Sequence, residues 1–106
     1  DNIGCMIFDE VDTGIGGAVA EVVGQKLRAL GERVQVLCVT HLPQVAAQGH
    51  SHLQVAKESD GEATRTRIHA LDAAGRRDEL SRMLGGVEIT KETRAHAKKM
   101  LDRAQG

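Results

Sequence analysis

Met6-Ile-Phe-Asp-Glu-Val-Asp12, running on into Thr13-Gly-Ile-Gly-Gly17, is the stretch on which the fold turns, and Val36-Leu-Cys-Val-Thr-His-Leu-Pro-Gln-Val-Ala-Ala47 is its counterpart further along. Ile3 to Phe8 is a run of branched and bulky apolar residues stopped by Asp9-Glu10, the pattern of a buried strand. From Ile15 the apolar positions Ile15, Ala18, Val19, Val22, Val23, Leu27 and Leu30 keep helical spacing, which leaves Glu21, Gln25 and Arg28 for solvent. Gly31 is a natural stop, and Val34 to Val39 is a second apolar strand closed by Thr40-His41. A strand, a helix and a strand with short connections predict a right-handed βαβ unit with two parallel strands.

Both predicted strands end in polar groups, Asp9 and Glu10 on the first, Thr40 and His41 on the second. In open α/β sheets ligands bind beyond the carboxyl ends of the strands, so two carboxylates and an imidazole are expected at one edge. Neighbouring carboxylates at a strand end point to opposite sides of the pleat, which allows one to hold a metal and the other to orient a water. Four apolar residues followed by Asp-Glu match a Walker B motif, in which the Asp anchors the Mg²⁺ of a nucleotide and the Glu activates the attacking water. The plainer alternative stays open: acidic residues before a helix also favour its N-terminus and solvent. A dinucleotide-binding turn at Gly14-Ile-Gly-Gly17 fails, because the third glycine of that pattern falls at Val19 and Asp9, Glu10 and Asp12 would repel a pyrophosphate. A lone histidine at a strand end, such as His41, is more often a structural residue than a catalytic one. His50 and His52 follow it without the spacing of a zinc site.

Beyond Leu42 the pattern changes. Leu42 to Ala47 predicts a short helical turn with Pro43 at its start. Asp60-Gly61 between the alternating runs His52–Glu58 and Ala63–Leu71 predicts an antiparallel hairpin, half-buried through Leu53, Val55, Thr64, Thr66 and Ile68. A short helix over Asp78–Leu84 presents Leu80, Met83 and Leu84, and Gly85-Gly86 ends it. Thr90 is the expected N-cap of a last helix with the stripe Ala97, Met100, Leu101 and Ala104. Lys57, Arg65, Arg67, Arg76, Arg77 and Arg82 gather around the hairpin and the next helix, either as a solvated face or as a phosphate-contacting patch.

Composition sets outer limits. The chain has 106 residues, 41% hydrophobic, with Phe8 its only aromatic, so its core must be aliphatic and it lacks the stacking platforms of single-strand nucleic-acid binders. Fourteen basic against fifteen acidic residues give a net charge of −1, without the global signature of a polyanion-binding domain. Apolar runs are strand-sized, far short of the roughly 20 residues that span a bilayer, and no secretory signal is visible, so a soluble cytoplasmic protein is expected. Cys5 and Cys38 lie in apolar runs and read as reduced, buried thiols.

The stretches Met6–Asp12, Thr13–Gly17 and Val36–Ala47, with Arg82-Met-Leu-Gly-Gly86 and Thr93-Arg-Ala-His-Ala97, resemble the C-terminal part of the RecN family, bacterial DNA-repair proteins of the SMC-like branch of the ABC ATPase superfamily. Asp-Glu-Val-Asp is shared with related repair ATPases; the Val-Thr-His-Leu-Pro-Gln-Val-Ala stretch is far more specific. The resemblance covers nearly the whole chain. It implies an α/β fold that is part of a P-loop NTPase head, residues 1–106 being its Walker B, D-loop and switch-histidine portion.

It also implies roles. Asp9 matches the aspartate that supports Mg²⁺, Glu10 the catalytic glutamate and His41 the histidine that senses the γ-phosphate. Asp12, Thr13, Gly14, Gly16 and Gly17 match the D-loop, which crosses between two heads; the aspartate often found late in that loop is replaced by Gly16. ATP and Mg²⁺ are the implied ligands, with a second head and DNA as partners, in a cytoplasmic protein that meets the nucleoid during double-strand-break repair and recombination. No G-x-x-x-x-G-K-[ST], Ser-Gly-Gly signature, Q-loop or heptad array occurs in the sequence, so no residue is assigned to the phosphate loop and the 106 residues alone are expected to lack ATPase activity. The family pattern pairs the strand ending at His41 with the Walker A strand, so 34–39 is expected to be an apolar edge prone to self-association. The alternatives are a piece of another SMC-type or ABC ATPase, or a non-catalytic interaction fragment.

Overall fold

The structure, a computed structural model, describes residues 5–9, 14, 16–85 and 88–105. Its elements in chain order are β1 (Cys5–Asp9), α1 (Gly17–Gly31), β2 (Gln35–Val39), α2 (Pro43–Ala46), β3 (Leu53–Ser59), β4 (Thr64–Ala70), α3 (Ala73–Gly85) and α4 (Lys91–Gln105). β1 and β2 pair in parallel across α1, from Cys5 opposite Gln35 to Asp9 opposite Val39. β3 and β4 form the antiparallel hairpin, from Leu53 opposite Ala70 to Ser59 opposite Thr64. This is the α/β arrangement expected from the sequence: a parallel βαβ unit, a hairpin and C-terminal helices.

Local chemistry explains the boundaries. At the hairpin tip Asp60 Oδ1 accepts from the Glu62 and Ala63 amides at 3.2 and 2.9 Å, and these bonds hold its carboxyl below the ordinary carboxylate range. Thr90 caps α4 as expected. Its Oγ1 accepts from Thr93 N at 3.1 Å, while Thr90 N donates to Thr93 Oγ1 at 2.9 Å, a reciprocal capping box. α3 starts at Ala73, earlier than the Asp78 that apolar spacing suggests, because Asp72 Oδ1 accepts from Gly75 N at 2.7 Å and caps a first turn of small residues, Ala73-Ala74-Gly75.

The core lies among α2, α3 and α4, where Ala47, Leu80 and Ala97 are buried and Ala46, Met83, Leu84, Met100 and Leu101 pack around them. α1 joins through a close approach to α2. A Cβ on Gly24 would stand 2.8 Å from Gln48 Cγ and 3.2 Å from the Gln44 carbonyl oxygen, so the packing requires glycine.

Four expectations about burial fail, each for a packing reason. The β1–β2 strands are not buried: Ile7 is 67% exposed, and Leu37 and Val39 also lie largely open, because nothing among the described residues covers that face of a two-stranded ladder. The hairpin is turned over. Leu53, Val55, Thr64, Thr66 and Ile68 are exposed, while Gln54 and Ala56 are half-buried and Gln54 Nε2 donates to Glu79 Oε1 of α3 at 3.0 Å. α1 is rotated from its apolar stripe, since the small residues Ala20 and Gly24 let α2 come close. Val19 and Val22 are thereby exposed, while Glu21 and Arg28 are only partly so. Finally, Cys5 is exposed and Cys38 half-buried, both as thiols, because they sit on the same open ladder.

Candidate functional site

The parallel register delivers the ends of β1 and β2 together. Asp9 stands opposite Val39, so its exposed carboxylate lies at the edge where the chain continues into Thr40 and His41. Thr40 Oγ1 accepts from Leu42 N at 3.0 Å and bends the backbone at His41, whose imidazole is exposed. Leu42 is extended, and Pro43 opens α2 with its fixed φ. Near the start of α1, Gly14 has a φ of +78°, a conformation that glycine adopts without strain. The carbonyl of Gly16 accepts the first bond of α1, from Ala20 N at 2.9 Å, and the place of a Gly17 Cβ lies 3.3 Å from Gln44 Nε2 of α2. The structure therefore brings Asp9 and His41 to one sheet edge and sets Gly17 against α2. Glu10, Asp12 and Thr13 lie outside the described residues.

α2, the element immediately after His41, is held from its far end. Arg76 of α3, only 9% exposed, donates Nη2 to the carbonyls of Ala46, Ala47 and Gly49 at 3.2, 3.5 and 2.9 Å. Arg28 of α1 donates Nη1 to Gln48 O at 2.7 Å. Burial pushes the Arg76 pKa down, with Arg28 adding to the effect, whereas burial and then Arg76 lower that of His52 against an opposing pull from Glu79. Glu79 itself is held below its usual range chiefly by hydrogen bonding from Arg82.

The sequence grouped Arg76 with a basic surface, and the structure disperses that group. Arg67 pairs with Glu58 at 3.0 Å, Arg82 with Glu79 at 2.5 Å, and Arg77 approaches Asp78 at 3.9 Å. Leu80 lies one helical turn after Arg76, and that i, i+4 spacing is the signal that puts Arg76 on the inward face. A cavity of about 190 Å³ between α1, α2 and α4 is lined by Gly17, Glu21, Gln44, His96 and Arg103 among others, and by neither Asp9 nor His41. Among the described residues no three His, Cys, Asp or Glu side chains form a metal cluster, and no helix is long and apolar enough to cross a membrane.

No family model matches this sequence. The DNA repair protein RecN of Xylella fastidiosa (strain Temecula1) is 59% identical over 105 residues, which is 99% of this chain and 19% of that protein. RecN of Vibrio cholerae is 56% identical over 96 residues, covering 91% of this chain and 17% of that protein. Over this segment the chain belongs to the RecN family. RecN of Bacillus subtilis, at 46% identity over 93% of this chain and 17% of its own length, extends the match to a more divergent member. The chain thus spans about a fifth of the length of its RecN relatives. A solved structure from work on the ATP-driven dimerization and DNA-stimulated activation of SMC ATPases superposes on 67% of this chain and 42% of its own, with a TM-score of 0.59 and 17% identity. At that identity the likeness shows a shared fold.

Proposed function

We propose that residues 1–106 supply the Walker B, D-loop and switch-histidine portion of the ATPase head of a RecN-type DNA-repair protein. The observation that carries this reading is the register pairing Asp9 with Val39, which sets a hard carboxylate ligand and the His41 turn at one edge of a parallel sheet. Asp9 is exposed and is an oxygen donor, so it fits Mg²⁺ as its inner or water-mediated ligand. The bound ion would offset charge on the phosphate oxygens. In this reading Glu10 takes a proton from the attacking water, His41 donates a hydrogen bond to the γ-phosphate, and residues Asp12 to Gly17 meet a second head. Such a protein would bind and hydrolyse ATP, pair its heads as a homodimer, engage DNA during double-strand-break repair and recombination, and work in the cytoplasm and on the nucleoid.

The test is Glu10→Gln in a RecN-length protein carrying this sequence. ATP turnover should fall by about 10²-fold or more with ATP binding retained. Turnover at the wild-type rate removes the assignment.

A second reading concerns the segment by itself and is favoured by the open edge strand β2 beside the exposed Leu37 and Val39. Without a phosphate loop it would neither bind Mg-ATP tightly nor hydrolyse it, and it would act as a module that associates with copies of itself through 34–39.

A further inference from the structure

α2 is too short to be a helix on its own. Its four residues span about 6 Å, and an isolated helix of that length has no stability in water. It begins two residues after His41, so whatever fixes α2 also fixes the turn that carries the imidazole. At the near end the Thr40 hydroxyl accepts from Leu42 N. The far end is held by side chains from two other helices. At and just past the end of α2, Arg76 Nη2 donates to the carbonyls of Ala46, Ala47 and Gly49, the first of which also accepts from Gly49 N, and Arg28 Nη1 donates to that of Gln48. Gly24 brings the α1 backbone against the same segment, at Gln44, Val45 and Gln48.

A guanidinium is costly to bury, and an apolar side chain of similar size would fill the space at Arg76 without that cost. What a cationic donor provides, and an apolar side chain does not, is a charge-assisted grip on several carbonyls at once. We propose that Arg76 and Arg28 are positioning residues, clamping the carbonyls of Ala46 to Gly49, at and just past the end of α2, so that the His41 turn is held at the edge where Asp9 ends β1. The proposal rests on the reading of His41 given above.

The test measures ATP turnover and KM in a RecN-length protein with this sequence, for Arg76→Met, Arg76→Lys and Arg28→Gln, each alone and combined with His41→Ala. Arg76→Met should lower kcat about 10-fold with KM within about twofold, and Arg28→Gln about 3-fold. Arg76→Lys, which keeps a cation for the carbonyls, should recover most of the loss. Once His41 is alanine, none of the arginine changes should lower kcat further, because their effect runs through the imidazole. Circular dichroism gives the folded fraction to which each rate is referred. Arg28 is half-buried and makes one of the four clamp bonds, so Arg28→Gln keeps the test open if Arg76→Met folds poorly.

Arginine losses that multiply with that of His41→Ala overturn the clamp while leaving the histidine reading intact. A kcat per folded molecule that is unchanged in all three arginine variants does the same. Undiminished turnover in His41→Ala overturns both.

Discussion

The helical half of the molecule and its two strand pairs solve the same burial problem with different success. Around Leu80, the helices α2, α3 and α4 close on one another: Ala47, Leu80 and Ala97 are buried, and Ser81 Oγ donates to Thr93 Oγ1 across the α3–α4 contact at 2.5 Å. The strand pairs present uncovered apolar faces, Ile7, Leu37 and Val39 on one, Leu53, Val55 and Ile68 on the other. A helix buries one stripe against one neighbour, whereas a sheet has two faces, and a two-stranded ladder is marginal without cover. The same sequence thus builds a finished aliphatic core and, beside it, sheet surfaces that ask for a partner. The βαβ edge bearing Asp9 and His41 belongs to the second kind and is tied to the first through α2.

The largest effect that sharpens this contrast is at the centre of the helical half. Leu80 is fully buried among Ala46, Met83, Leu84, Met100 and Leu101 and their neighbours. Leu80→Ala should cost about 2–5 kcal/mol in urea unfolding, from lost transfer energy and the cavity left behind. A cost below about 1 kcal/mol would mean that the helical core is no better closed than the sheets.

Period and caps were legible in the sequence; facing was not. The parallel pairing, the Asp60-Gly61 hairpin and the Thr90 cap all follow from local chemistry, and each is present. The side that each element turns inward depends on neighbours distant in sequence. The Gln54–Glu79 bond decides that the hairpin shows Val55 and Ile68 to solvent, and Gly24 decides which side of α1 meets α2. At the candidate site, Asp9 and His41 could be placed at one edge because a strand end is readable. The inward facing of Arg76 is readable from its spacing to Leu80, but its role is not, because its partners are backbone carbonyls, which carry no residue-specific signal.

A smaller effect lies on the seam between the two halves. The His52 carbonyl accepts from Leu71 N at 3.0 Å, and its half-buried ring has its pKa lowered by desolvation first and by Arg76 second. Because the folded pKa lies below the ordinary 6.5, the unfolded chain binds the proton more readily. The contribution of His52 to stability is therefore complete above 6.5 and is lost as the pH falls through 6.5 to the lowered value. Glu79, with its own pKa depressed, adds a loss only below its ordinary 4.5. His52→Gln should flatten the dependence of the unfolding midpoint on pH between about 7 and 5, the interval in which an ordinary histidine titrates. An unaltered slope would put the pH sensitivity elsewhere than the seam.

The smallest expected effect discriminates most sharply between the halves. Val55 and Ile68 face each other across the hairpin and are 63% and 64% exposed, so they bury little that folding could reward. Replacing both by Thr keeps the β-branched shape and the strand preference while removing apolar surface from an open face. In the 106-residue chain the double change should alter urea stability by no more than about 0.5 kcal/mol, an order of magnitude less than the upper range for Leu80→Ala. In a RecN-length protein, where the rest of the chain is available to lie on this face, the same pair should cost more than about 1 kcal/mol. A cost that large in the short chain, at a protein concentration where it sediments as a monomer, would show the face to be covered within these residues, and the contrast between a closed helical half and open strands would fail.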